Sequence, residues 1–334
     1  MTRSQRVSGE VGEARDRLSA AGRRPRVGRA GPARASEVKM PDYGEDDIRR
    51  DGLYEKLIFI AGNARSGTTI VANILNLSEK FYVMEEANLF THLTKPDFPN
   101  WFNDKHRDEG KPPRKGTYVP PFEGDEETGL ATLRRLARDY DFVGDKVAFN
   151  PRDTYDGRSE QQYFFEEQAK FFSGCRYIFT MRNPHESLLS MHRMFPSEVL
   201  SNLLWCWTES MRYCCIGFTM FKRCRMVFSE SIGPEAFSAI GELLGLELSA
   251  PKEYFADRSR RTSAAAAYDF GREHNAEIGT ALGGCDLIYR DLRNMFSPET
   301  LRYRAPEQPF GLIGATIQRI EALQARLDEA AVTA

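Results

Sequence analysis

From residue 56 onward the chain alternates short continuous apolar runs with amphipathic stretches. KLIFIAG (56–62) is a compact apolar run ending in glycine, the pattern of a strand buried on both faces of a parallel sheet. Behind it, Thr69 to Leu77 places Ile70, Ile74 and Leu77 on one helical face. KFYVMEEANLFTHL predicts a second strand turning into a helix, and ETGLATLRRLARDY a helix followed by the strand-like DFVGDKVAFN. EQQYFFEEQAKFF is helical in pattern and CRYIFTM is a further buried strand. ESLLSMHRMF and EVLSNLLWCWTESMRYCCIGFTMFK follow as helices, then RMVF as a short strand and PEAFSAIGELLGL as a helix. Strands alternating with helices predict an α/β fold, a parallel sheet covered by helices on both faces. ATIQRIEALQARLDEA near the C-terminus is an amphipathic packing or dimer helix, so a homodimer is one expectation.

Two segments break the pattern. Residues 1–39 carry ten Lys/Arg against four Asp/Glu and almost no large apolar side chains, so they cannot bury a core. A disordered basic extension, or a start upstream of Met40, fits this better than a transit peptide, because Glu10, Glu13, Asp16 and Glu37 interrupt the basic run. Residues 96–127 are rich in Pro, Gly and charge, which predicts a lid-like loop within a domain spanning 50–332. Trp101, Phe102 and Tyr118 make that loop the candidate acceptor lid. The remaining aromatic positions, Trp205, Trp207, Phe164, Phe165, Phe171 and Phe172, fit core packing better than an acceptor pocket.

Composition narrows the class. The 334 residues are 41% hydrophobic and 28% charged, with a net charge of −2, which suits a globular enzyme and offers no nucleic-acid footprint. No run reaches the roughly 18 apolar residues of a membrane span. The six cysteines form no CxxC pair and have no zinc spacing with histidine, so a reduced, cytoplasmic protein without a metal site is expected.

The chemistry concentrates in GNARSGTT (62–69), which joins the first strand to its helix. Backbone N–H groups of such a turn, opening on a helix N-terminus, bind phosphate oxygens. A nucleotide triphosphatase needs lysine after the second glycine, to reach the β- and γ-phosphates, and the next hydroxyl for magnesium. Here Thr68 follows Gly67, the fixed cation moves back to Arg65, and Ser66, Thr68 and Thr69 supply neutral hydroxyls. A single 5′-phosphate bearing a sulfo group suits this arrangement better than a triphosphate.

RSGTT after an apolar strand resembles the 5′-phosphosulfate loop of sulfotransferases that use 3′-phosphoadenosine 5′-phosphosulfate (PAPS). RYIFTMRNPHESLLSMHR resembles the same family's 3′-phosphate segment, in which an arginine ends a strand and a serine follows eight residues later; Arg182 and Ser190 have that spacing. A guanidinium supplies the charge-assisted, bidentate donor that a phosphate needs. RMVFSESIGPEAFSAIGELLGLEL is similar to the family's later strand–loop–helix, with FSES where the family carries YEDL. The resemblance covers most of residues 56–247. It implies a P-loop-like sulfotransferase fold, PAPS as co-substrate without metal, and a small-molecule, lipid or carbohydrate acceptor with a hydroxyl or amine. It implies donor contacts from Arg65, Ser66, Gly67, Thr68, Thr69, Arg182 and Ser190. Glu85 and Glu86 resemble the Glu-Glu pair of tyrosylprotein sulfotransferases, which makes Glu86 the candidate base, with Glu85 and His92 as competitors. Lys146, read as ending the third strand, corresponds to a lysine that offsets leaving-group charge, although the following Val-Ala departs from the family pattern. Two other readings stay open. A metal-dependent P-loop kinase would need a substitute for the lysine absent at 68 and a strand-end aspartate, for which Asp145 is the candidate. A non-catalytic nucleotide-binding protein would keep Arg65, Arg182 and Ser190 and dispense with Glu86 and Lys146.

Overall fold

The strand Leu57–Asn63 (β1) is buried at every position, because neighbouring strands flank both of its edges and helices cover both of its faces. It is the centre of a five-stranded sheet ordered β2–β3–β1–β6–β7, where β2 is Phe81–Glu85, β3 Phe142–Phe149, β6 Arg176–Met181 and β7 Arg223–Phe228. Every pairing in this sheet is parallel. The computed structural model describes residues 52–93, 96–108, 127–151, 154–155, 157–248, 264–274, 278, 281–296 and 308–333. These belong to one compact unit, Asp42–Ala334.

Alternation along the strands divides the core into two layers. Leu57, Phe59, Ala61, Tyr177 and Phe179 face one side, where helices α4 (Gly129–Asp139), α5 (Glu160–Phe171) and α7 (Leu200–Met220) bury them. Ile58, Ile60, Val83 and Ile178 face the other, against α1 (Thr68–Leu75) and α8 (Pro234–Leu244). Helices therefore cover both faces, and the fold is the α/β class that the alternating pattern predicts. Between β2 and α4 lie α2 (Leu89–His92) and α3 (Phe98–Asp108); a small antiparallel hairpin, β4 (Thr154–Tyr155) with β5 (Arg158–Ser159), precedes α5. Helix α6 (Pro184–Met194) follows β6 and starts on a well-formed cap, with Asn183 Oδ1 accepting from the amides of His185 and Glu186 and Pro184 in the first turn.

A C-terminal helical layer completes the fold. Helix α9 (Ala264–Glu273) packs on α6, α10 (Ala281–Met295) on α6 and α11, and α11 (Gln308–Thr333) lies along α7. Ile313, Ile320, Leu323 and Leu327 are the buried stripe of α11, so this amphipathic helix is a packing element of its own chain. The six cysteines are free; five are buried, and Cys224 is partly so. Burial pushes the Cys206 and Cys215 thiols up to about 12, so they stay protonated and serve as small apolar side chains. Among the described residues no helix is long and apolar enough to cross a membrane, and no cluster of three His, Cys, Asp or Glu side chains could hold a metal ion.

Two expectations change. The segment read as irregular from residue 96 opens with α3, whose Phe98 and Phe102 are core residues. Its apolar positions fall at i, i+3 and i+4, and Pro99 in the first turn does not obstruct a helix. Tyr118 and residues 109–126 lie outside the described residues, as does the basic segment 1–39. Lys146 does not end β3: three residues of the strand follow it, and its side chain is 1% exposed.

Candidate active site

The strand order reverses at β1. From β1 the chain moves toward β3 and β2, and from β6 toward β7, so the turns after β1 and β6 diverge and leave a crevice at their carboxyl ends. The loop 62–69 and the turn 182–184 meet there.

Gly62 has to be glycine because a Cβ at this position would stand 2.4 Å from the Thr180 carbonyl oxygen and 2.4 Å from its hydroxyl. That close approach lets the buried Ser66 Oγ reach Thr180 Oγ1 at 2.6 Å, tying the loop to β6. Gly67 takes φ +98°, a left-handed conformation that glycine adopts freely, and it is the N-cap of α1. No side chain caps that helix, so its first-turn amides, those of Thr68 and Thr69 among them, carry the dipole's positive end. Thr68 is buried and Thr69 half-buried.

The basic side chains converge on this point. Arg65, at φ 71°, donates from Nε to Ser190 Oγ at 3.0 Å across 125 residues of sequence. Arg182 donates from Nη1 to the Arg65 carbonyl at 3.0 Å, and from Nε and Nη2 to one Glu186 oxygen at 3.0 and 2.8 Å. Desolvation, and then repulsion from Arg182, lowers the Arg65 pKa. Arg65 is nonetheless exposed overall, so the shift leaves it charged. Two guanidiniums held side by side at an uncapped helix N-terminus are the electrostatic outline of an anion site. The structure brings the sequence candidates Arg65, Arg182 and Ser190 together, and adds Glu186, which the sequence reading does not single out although its i,i+4 spacing from Arg182 signals it. Asn63 is missed too: buried beneath the loop, it donates from Nδ2 to the Ala64 carbonyl and accepts from Ser210 Oγ at 3.4 Å.

The second cluster sits on the neighbouring strands. Lys146 pairs in register with Glu85 on β2 and Ile60 on β1. Its Nζ lies 2.8 Å from Glu86 Oε1 and 3.3 Å from Glu85 Oε1, the two carboxylates being 27% and 11% exposed. Glu86 is in the left-handed region at φ 55°, with its amide bonded to the Lys146 carbonyl at 2.7 Å. Such a backbone is costly for a non-glycine residue and marks a constrained position. Glu86 is the more exposed acid of the pair and the nearer of the two to the Lys146 Nζ. His92 is differently engaged: its Nδ1 meets Thr91 Oγ1 at 2.6 Å and its ring stacks on Trp101 at 3.8 Å. Asp145 is buried, and its two oxygens accept from the amides of Ala87 (2.9 Å) and Leu89 (3.1 Å), fixing the turn that presents Glu86.

No protein-family model matches this chain, and no curated protein does. Among solved structures, the sulfotransferase domain from the Synechococcus PCC 7002 olefin synthase is similar to it at 18% identity, covering 80% of this chain and 94% of that domain with a TM-score of 0.44.

Proposed function

We propose that this protein is a PAPS-dependent sulfotransferase acting on a hydroxyl or amine. The acceptor's heteroatom attacks the sulfur, the bond from sulfur to the 5′-phosphate oxygen breaks, and 3′-phosphoadenosine 5′-phosphate leaves with the electron pair. Glu86 takes the acceptor proton, and Lys146 offsets charge on the bridging oxygen. The observation that carries this reading is the meeting of Arg65, Arg182 and Ser190 at the uncapped N-terminus of α1. That constellation suits a nucleotide with separate 5′- and 3′-phosphates. Against the kinase reading, Asp145 is buried and each of its two oxygens accepts from a backbone amide.

The test is thermal stability with nucleotides. 3′-Phosphoadenosine 5′-phosphate without magnesium should raise the melting temperature, since a ligand at a hundredfold excess over its Kd adds about 2.7 kcal/mol. Preferential stabilisation by ATP that depends on magnesium would favour the kinase instead.

Arg182→Ala should act on donor binding rather than on turnover, because a 3′-phosphate lies remote from the sulfur being transferred. Loss of a charge-assisted bond costs about 1.5–3 kcal/mol, or roughly a 10–150-fold rise in the donor's KM. Steady-state kinetics with varied donor check this; an unchanged KM with a fall in kcat alone contradicts the assignment.

A further inference from the structure

The peptide unit joining Arg182 to Asn183 is held at both poles by side chains from other elements. Its carbonyl, on Arg182, accepts from Trp207 Nε1 of α7 at 3.0 Å. Its N–H, on Asn183, donates to Glu230 Oε1 at 3.0 Å, from the short turn Ser229–Ser231 after β7. The other oxygen of Glu230 accepts from the hydroxyl of Tyr289, a buried residue of α10 that also packs edge-on against Phe228. Burial first, and the Glu230 charge second, push the Tyr289 pKa well up, so the phenol keeps its proton and remains a donor.

Helix α6 does not need this arrangement in order to start. Asn183 Oδ1 already accepts from two of its first amides. What Trp207 and Glu230 add is control over the rotation of the peptide plane one step earlier. That plane shares its Cα with the Arg182 side chain, so fixing it fixes the direction in which the guanidinium leaves the backbone. The bond to Glu230 is charge-assisted, hence stronger than a water could supply.

We infer that Glu230 and Tyr289 are positioning residues for the 3′-phosphate of the donor, acting through the turn that aims Arg182; this rests on the donor reading proposed above. The C-terminal helical layer thereby contributes to nucleotide selection without contributing a side chain that touches the nucleotide.

The test compares two nucleotides by titration calorimetry on the full chain: 3′-phosphoadenosine 5′-phosphate, and adenosine 5′-phosphate, which lacks the 3′ group. Wild-type protein should bind the former more tightly. Tyr289→Phe should weaken it by about 3–10-fold, the value of one hydrogen bond, and leave adenosine 5′-phosphate unaffected. Glu230→Gln keeps a carbonyl oxygen for the Asn183 N–H and can turn its amide N–H toward the Tyr289 hydroxyl, which then accepts, so it should retain most of the preference, whereas Glu230→Ala should lose it. In an Arg182→Ala background, Tyr289→Phe should have no further effect. Equal losses for both nucleotides, or a loss that persists without Arg182, would reduce the pair to a structural role and overturn the inference. If Glu230→Ala does not fold, Tyr289→Phe and Glu230→Gln still decide the matter. A wild-type protein that binds both nucleotides alike removes the donor reading itself, a result separate from any variant's behaviour.

Discussion

Glu86→Gln should lower turnover about 10²–10⁴-fold, the range expected when a general base is lost, while nucleotide binding stays close to wild type. The substitution is conservative at this site. Glutamine keeps a carbonyl oxygen for the Lys146 ammonium, now at 2.8 Å from the carboxylate, and Glu85 at 3.3 Å still neutralises that lysine. What disappears is one negative charge beside the lysine and the capacity to accept a proton. Glu85→Gln and His92→Ala should cost much less, because Glu85 is the more enclosed acid and the His92 ring is engaged with Thr91 and Trp101. Single-turnover rates for the three variants, set beside their affinity for 3′-phosphoadenosine 5′-phosphate, check the assignment. Near-normal turnover in Glu86→Gln with collapse in either of the others would transfer the role to that residue.

Lys146→Ala should reduce turnover about 10²–10³-fold, through loss of transition-state charge stabilisation. It should also destabilise the fold. Lys146 is 1% exposed, and its removal leaves two carboxylates facing each other without their counter-ion. Removing one partner of a buried ion pair costs about 3–5 kcal/mol, although the partial exposure of Glu86 moves the expectation toward the lower figure. The two effects separate in a double variant. Lys146→Met/Glu85→Gln fills the volume and removes one of the stranded charges, so denaturant unfolding should show much of the stability restored while turnover stays low. Recovery of turnover along with stability would show that the lysine holds the glutamates in place and takes no part in the transfer.

The parts of this site that the sequence discloses are those encoded locally. Leu57–Gly62 reads as a strand because every position in it is buried, so nothing interrupts the apolar run. The spacing of Gly62 and Gly67 reports a turn that the backbone alone makes, and Arg182 with Ser190 spans a strand end and two helical turns. Lys146 with its two glutamates is another matter. Their meeting depends on β3 lying beside β2, an adjacency that no local pattern reveals. Asp145 illustrates the same limit: in sequence it is a strand-end acid suited to magnesium, and only the turn at 86–89 explains its burial. Helices α9 and α10 escaped notice for a different reason. AAAAYDFGRE has no sustained apolar stripe, and Gly283 with Gly284 weakens the helical signal of ALGGCDLIYRDLRNM; packing against α6 supplies what propensity withholds.

The central position of β1 has a consequence for how the chain is made. Arg176, the β6 residue that pairs with Ile58, leaves the ribosome about 120 residues after it. At roughly 5–20 residues per second, β1 therefore waits about 6–24 s with one edge unsatisfied after emerging. Throughout that interval an apolar strand with open hydrogen-bonding groups is available to the wrong partner. A nascent chain of this protein should accordingly engage holding chaperones until β6 has been synthesised, and arrest of translation short of residue 181 should yield an insoluble product.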